Sequence, residues 1–121
     1  MSMIDTALMK GLERMLDLST FRQQVFASNL ANVDTPGYRT RDVRTFAGAF
    51  DAALAENDAA PPTPVARPVY GLLERPDGNN VSVERESLLM AQNQLRFEVA
   101  VQFLRAEFRK LSIAINEGKT S

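Results

Sequence analysis

Glu84 and Glu86 flank Arg85 in the stretch DGNNVSVERE, Asp77 to Glu86, and a close pair of carboxylates is the raw material of general acid–base chemistry. Their place at the start of a helical pattern gives them a simpler role, as solvated acids that meet the positive end of a helix dipole. The oxygen-bearing side chains of Asp77, Asn79 and Asn80 are of the kind that ligate calcium, but an EF-hand loop starting at Asp77 needs a glutamate where Leu88 stands. A tight turn around Gly78 accounts for the same residues. The rest of the catalytic repertoire is thinner. The chain has no histidine and no cysteine, which removes imidazole bases, serine triads, thiolates, disulfides and imidazole or thiolate metal sites together. Gly37, Gly48, Gly71 and Gly78 stand isolated, and none precedes a Lys-Ser or Lys-Thr pair at phosphate-loop spacing. The expectation is a protein that is not an enzyme, with no catalytic residue, no metal site, no cofactor and no small-molecule substrate.

A second polar stretch, SNLANVDTPGYRTRD from Ser28 to Asp42, interrupts a long amphipathic segment. Asn29 and Asn32 can bond locally to backbone groups, and Asp34 or Thr35 can cap a turn. Pro36 ends a helix through its fixed φ and missing N–H. Gly37 permits a positive φ, so a tight reversal presents Tyr38.

These turns need elements to hold them, and 121 residues with 45% apolar content suffice for one small foldable domain. Two long helices without further layers would not reach the burial of a compact domain of that size. Fourteen basic against fifteen acidic residues leave a formal charge of -1, which offers no electrostatic footprint for nucleic acid or an anionic membrane. A cysteine-free chain suits cytoplasm and periplasm equally. No apolar run is long enough to span a bilayer, and Met1 to Lys10 does not read as a cleavable secretory signal.

Ile4 to Val33 reads as a helix with an apolar face through Ile4, Leu8, Leu12, Met15, Leu18 and Val25, with Gly11, Arg22 and Asn29 as gaps on or beside it. Such a helix is on the order of 45 Å long. Periodicity fails from Thr40 to Pro76. The run Ala59-Ala60-Pro61-Pro62-Thr63-Pro64 reads as a flexible loop, Phe46 to Ala55 as a short helix, and Val65 to Leu73 as a short extended piece. In the last third, Phe97, Val101, Leu104, Phe108, Leu111 and Ile115 repeat at alternating steps of four and three, a coiled-coil seam that Met90 continues backwards. Phe97, Val99, Val101 and Phe103 also alternate as a strand would, but no glycine or proline interrupts Asn79 to Glu117, and that length favours a helix. Gly118 then supplies a stop. Leu89, Val99, Phe103 and Ile113 lie outside the seam, so this helix needs more than one neighbour. The expected fold is mainly α: long N- and C-terminal helices packed as a coiled-coil-like pair, joined by an irregular, loop-rich middle with little β structure. The expected divisions are 1–36, 37–80 and 81–121. On these features alone, a soluble homo-oligomeric helical adaptor is one reading.

Three blocks together point further. The N-terminal helix with Ala31 to Tyr38, ANVDTPGY, resembles the flagellar rod, hook and hook-associated axial family. Ser19 to Asp42, Asp77 to Glu86 and the ending FRKLSIAINEG, Phe108 to Gly118, resemble more narrowly its short proximal rod subunits; nothing specific is shared from Val43 to Arg75. The resemblance implies a structural subunit whose terminal helices pack in the inner layer of a helical tube across the periplasm. Its implied partners are copies of itself, other flagellar rod proteins, the membrane (MS) ring with its rod adaptor, and the flagellar type III export apparatus, which carries such chains out without a cleaved signal. It also implies that Asn29, Ala31, Asn32, Thr35, Pro36, Gly37 and Tyr38 fix the turn where the chain leaves the inner layer, and that the seam packs subunits together.

Overall fold

The long periodic segments fold as the two helices that dominate the computed structural model, which describes residues 3–43 and 64–120. The first helix, α1, is Met3–Ala31. It runs out where the Asn32 N–H is shared between the carbonyls of Ser28 and Asn29, at 3.1 and 3.2 Å, and the backbone closes into turns through Thr35 and Tyr38. It stops two residues short of the expected Val33 because asparagine side chains take over the backbone groups there.

The second helix, α2, is Val83–Thr120. Ser82 caps it, its hydroxyl accepting from the Arg85 N–H at 3.3 Å. The expected stop at Gly118 is not observed: the helix continues through it, and the positive-φ glycines are Gly37, Gly71 and Gly78. A single glycine in a helix interior costs only about 1 kcal/mol relative to alanine.

The helices lie antiparallel. Asn29 meets Glu86 near one end, Ser19 and Gln23 meet Asn93 further along, and Met15 shares a groove with Val99 and Phe103. Leu12, Val25, Phe26 and Ala100 form the apolar part of the contact, with Val43 and Val81 covering its upper end. The most buried residues of α2 are Glu86, Asn93, Ala100 and Glu107, which recur every seven positions. Met90, Phe97, Leu104 and Leu111 alternate with them as a half-buried row. The row toward α1 is therefore a four-three repeat in which half the positions are polar or small. Phe97, Leu104 and Leu111 of the apolar repeat belong to this row. Val101 flanks it, and Phe108 and Ile115 are each 50% exposed in the single chain.

Between the helices, β1 (Arg41–Asp42) pairs antiparallel with β2 (Arg67–Pro68), with Arg41 opposite Pro68 and Asp42 opposite Arg67. The Val69 N–H extends the ladder to the Thr40 carbonyl at 2.9 Å. Pro68, which has no N–H to give, sits on an edge, as proline must. The short helix expected over Phe46–Ala55 lies outside the described residues, as does the proline-rich run up to Thr63. Among the described residues, no helix is long and apolar enough to cross a membrane.

Candidate functional site

The two polar stretches, some forty residues apart in sequence, fold into one joint at the end of the helix pair where α1 finishes and α2 begins. Asn29, in the last turn of α1, is its hub. Its amide donates to the Arg41 carbonyl at 2.8 Å and to Glu86 Oε2 at 3.0 Å. Its Oδ1 accepts from the Tyr38 hydroxyl at 3.0 Å and from the Arg41 N–H at 3.1 Å. An asparagine side chain has two donors and two acceptor sites, and here all four are used.

Glu86 answers from α2. It is 0% exposed, so the solvated role expected for it is corrected: only Glu84 stays at the surface. A buried carboxylate is tolerable when its charge and lone pairs are met. Arg85 supplies the charge, its Nη1 donating to Glu86 Oε1 at 2.8 Å, and Asn29 binds the other oxygen.

The Asp77–Asn80 turn docks beneath the end of α1. Asp77 Oδ1 accepts from the Asn79 N–H at 2.9 Å, and Asn79 Oδ1 accepts from the Val81 N–H at 2.8 Å. The Asn79 amide then crosses over to the carbonyls of Asn32 and Thr35, at 2.8 and 2.9 Å. Each of these carbonyls also accepts a backbone N–H of its own turn, from Thr35 and Tyr38 at 3.0 and 3.2 Å, so Asn79 adds a second bond to both and ties the two turns together. Asn80 Oδ1 accepts from the Thr40 N–H at 2.6 Å, and the Thr40 hydroxyl donates to the Asn80 carbonyl at 3.2 Å. Arg75 donates to the Val33 carbonyl, and the Gly37 N–H to the Asp77 carbonyl at 2.9 Å. Gly37 and Gly78 hold φ of +75° and +85°, and a Cβ on Gly78 would lie 3.3 Å from Gly37 Cα, so the two turns stack backbone on backbone.

Of the motif residues, Asn29, Asn32, Thr35, Gly37 and Tyr38 come together in this joint. Asn32 donates to the Ser28 carbonyl at 2.8 Å and accepts from the Thr35 hydroxyl at 3.0 Å. Ala31 and Pro36 are exposed at its edge. Glu86, Thr40, Asn79 and Asn80 are equal members that the motif did not include. One cue was present: Asn29 and Arg22 interrupt the apolar face of α1, and a polar residue on a buried face must find a buried partner. For Arg22 that partner is Asp42, held by two parallel bonds of 2.9 and 3.0 Å, with the guanidinium stacked 4.9 Å above the Phe26 ring. This clamp ties β1 to the side of α1.

Among the described residues no buried side-chain nitrogen or oxygen lacks a partner, and no cluster of three or more acidic side chains is arranged to hold a metal ion. The polar groups of the joint thus satisfy one another among the described residues. The available surface lies elsewhere: Leu88, Leu95, Val99, Phe103, Phe108, Ile113 and Ile115 project from α2 with a large part of each side chain exposed.

Comparison with known proteins falls on the same elements. The family model described as flagella basal body rod protein matches residues 19–39, from Ser19, whose carbonyl holds Asn93, to the residue after Tyr38. Proteins named flagellar basal body rod protein FlgB are similar over nearly the full length. The Salmonella typhimurium protein is 28% identical, with 95% of this chain and 96% of the relative covered. The Bacillus subtilis protein is 28% identical over 91% and 94%, and the Escherichia coli protein 28% over 95% and 96%. With the motif placed in the joint and the likeness running through both helices, the chain is similar to the flagella basal body rod proteins along nearly its whole length.

Proposed function

We propose that this chain is a structural subunit of the bacterial flagellar basal body that polymerises into the proximal rod, the segment between the membrane ring and the distal rod and hook. The observation that carries the reading is the unequal treatment of the two sides of α2. One side is locked to α1 by a fully satisfied polar joint, while Leu95, Val99, Phe103, Phe108, Ile113 and Ile115 remain largely open in the single chain. A subunit with a fixed internal geometry and several apolar rows left over is suited to repeated packing against neighbours. In this reading the helix pair lies in the inner layer of the rod, the seam of Phe97, Val101, Leu104, Phe108, Leu111 and Ile115 is completed by adjacent subunits, and the turn from Asn29 to Tyr38 directs the chain outward. The partners are copies of itself and other rod proteins, the membrane ring and its rod adaptor below, and the type III export apparatus that delivers the chain to the periplasmic rod without cleavage.

The test is to purify basal bodies from cells that carry this chain and to probe them for it, beside the chain purified alone. The reading predicts the chain in the rod fraction, with little tendency to form a closed oligomer by itself. A stable closed oligomer in solution and absence from basal bodies would instead make it a soluble helical adaptor.

A further inference from the structure

Two unpartnered apolar surfaces sit at different heights on the molecule. The first is a projection. After β2 the chain turns at Gly71, which holds φ +85°, and presents Tyr70 at 88% and Leu73 at 93% exposure. It is braced rather than loose: Glu74 pairs with Arg39 at 3.1 Å, and Arg75 donates to the Val33 carbonyl. The second is a groove midway along the helix pair, lined by Met15 of α1 and by Leu95, Arg96, Val99, Ala100 and Phe103 of α2. Arg96 lines it with no ion pair or hydrogen bond to any described residue.

The projection cannot reach its own groove. Its braces hold it beside the turn after α1, while Met15 lies fourteen residues before Asn29, about 20 Å down the helix axis. We propose that Tyr70 and Leu73 of one copy seat in the Met15–Val99–Phe103 groove of the next copy, with Glu74 facing Arg96. The charges complement each other: the acid next to Leu73 uses one carboxylate oxygen on Arg39, and Arg96, an exposed residue at the edge of this apolar groove, makes no ion pair with any described residue. Because the projection and the groove are different surfaces, the contact is heterologous. Each copy that accepts a neighbour still offers its own projection, and the chain of contacts stays open. This rests on the reading of the chain as a rod subunit and gives that reading a specific contact.

The chain has no cysteine, so introduced thiols report without background. A Leu73→Cys chain and a Val99→Cys chain are expressed together, basal bodies are isolated, and mild oxidation is followed by non-reducing electrophoresis. The expected result is a disulfide-linked species at twice the chain mass, present when both variants are combined and lost when either is expressed alone. Incorporation of both variants into rods without that species overturns the contact while leaving the rod reading intact. A third chain carrying both Leu73→Cys and Val99→Cys is oxidised in the same way, and a cross-link that forms only within that chain also overturns the proposal, since the groove would then be filled intramolecularly. Absence of even the unaltered chain from basal bodies would instead defeat the rod reading. If the cysteine variants fail to incorporate, charge reversal decides. Arg96→Glu and Glu74→Arg should each reduce incorporation severalfold and together restore it, and failure of the pair to restore it overturns the proposal.

Discussion

Asn29 shows how much a single amide can be asked to do at the end of a helix. Replacing it with alanine leaves Glu86 without its partner in a buried contact and the Arg41 backbone groups without theirs in a partly buried one, at about 1–3 kcal/mol for the buried group and less for each partly buried one. Asn29→Ala should therefore lower the unfolding free energy by about 3 kcal/mol or more in urea titration, whereas Asn32→Ala, at a half-exposed position, should cost about 1 kcal/mol. Equal effects would mean that the joint is not closed in the isolated chain. The glycines separate two other causes. Gly71 and Gly78 share φ +85°, but a Cβ has open space at Gly71 and meets the Gly37 backbone at Gly78. Gly71→Ala should cost about 1–2 kcal/mol from the dihedral alone. Gly78→Ala should cost more in the same titration, by the displacement of one turn from the other. Gly37→Val places a β-branched residue at φ +75° and is expected to block incorporation into basal bodies; normal rods containing it would refute the role given to the turn.

At the level of elements, the helices announce themselves through apolar spacing, and the face they share does not. Spacing located α1 to within two residues at its end and identified the long C-terminal helix. It could not weigh Glu86, Asn93 and Glu107, because a count of apolar residues treats polar ones as outward-facing. Asn93 shows the difference: its amide donates to the Ser19 carbonyl and to Gln23 Oε1, both at 2.8 Å, and so fixes the axial register of α2 on α1. Ala100 is almost fully buried on the same face. Ala100→Leu should overpack the contact at a cost of about 1–3 kcal/mol, read as a lower urea midpoint with unchanged slope. A neutral result would mean that the helices are not in register there. The joint was half legible for a similar reason. Local turn chemistry marked Asn29 to Tyr38 and Asp77 to Asn80 separately, but their union depends on side-chain bonds spanning roughly fifty residues, which no local pattern encodes.

At the scale of the whole molecule, one small helix pair divides its surface between a closed joint and open apolar rows, and stability and assembly become separable. Leu104 lies where the two meet, half buried against α1 in the single chain and part of the seam assigned to subunit packing. Leu104→Asp puts an unpaired charge in that seam, at a cost of several kcal/mol in the assembled state. Swimming should be lost, and unaltered motility would show that the seam is not buried in the rod. The most direct measurement is electron microscopy of cells lacking this chain, scored for rods, hooks and filaments, with the intact gene restored as control. A proximal rod subunit predicts loss of every axial structure above the membrane ring and its return on restoration; normal flagella in the cells without it would contradict the account.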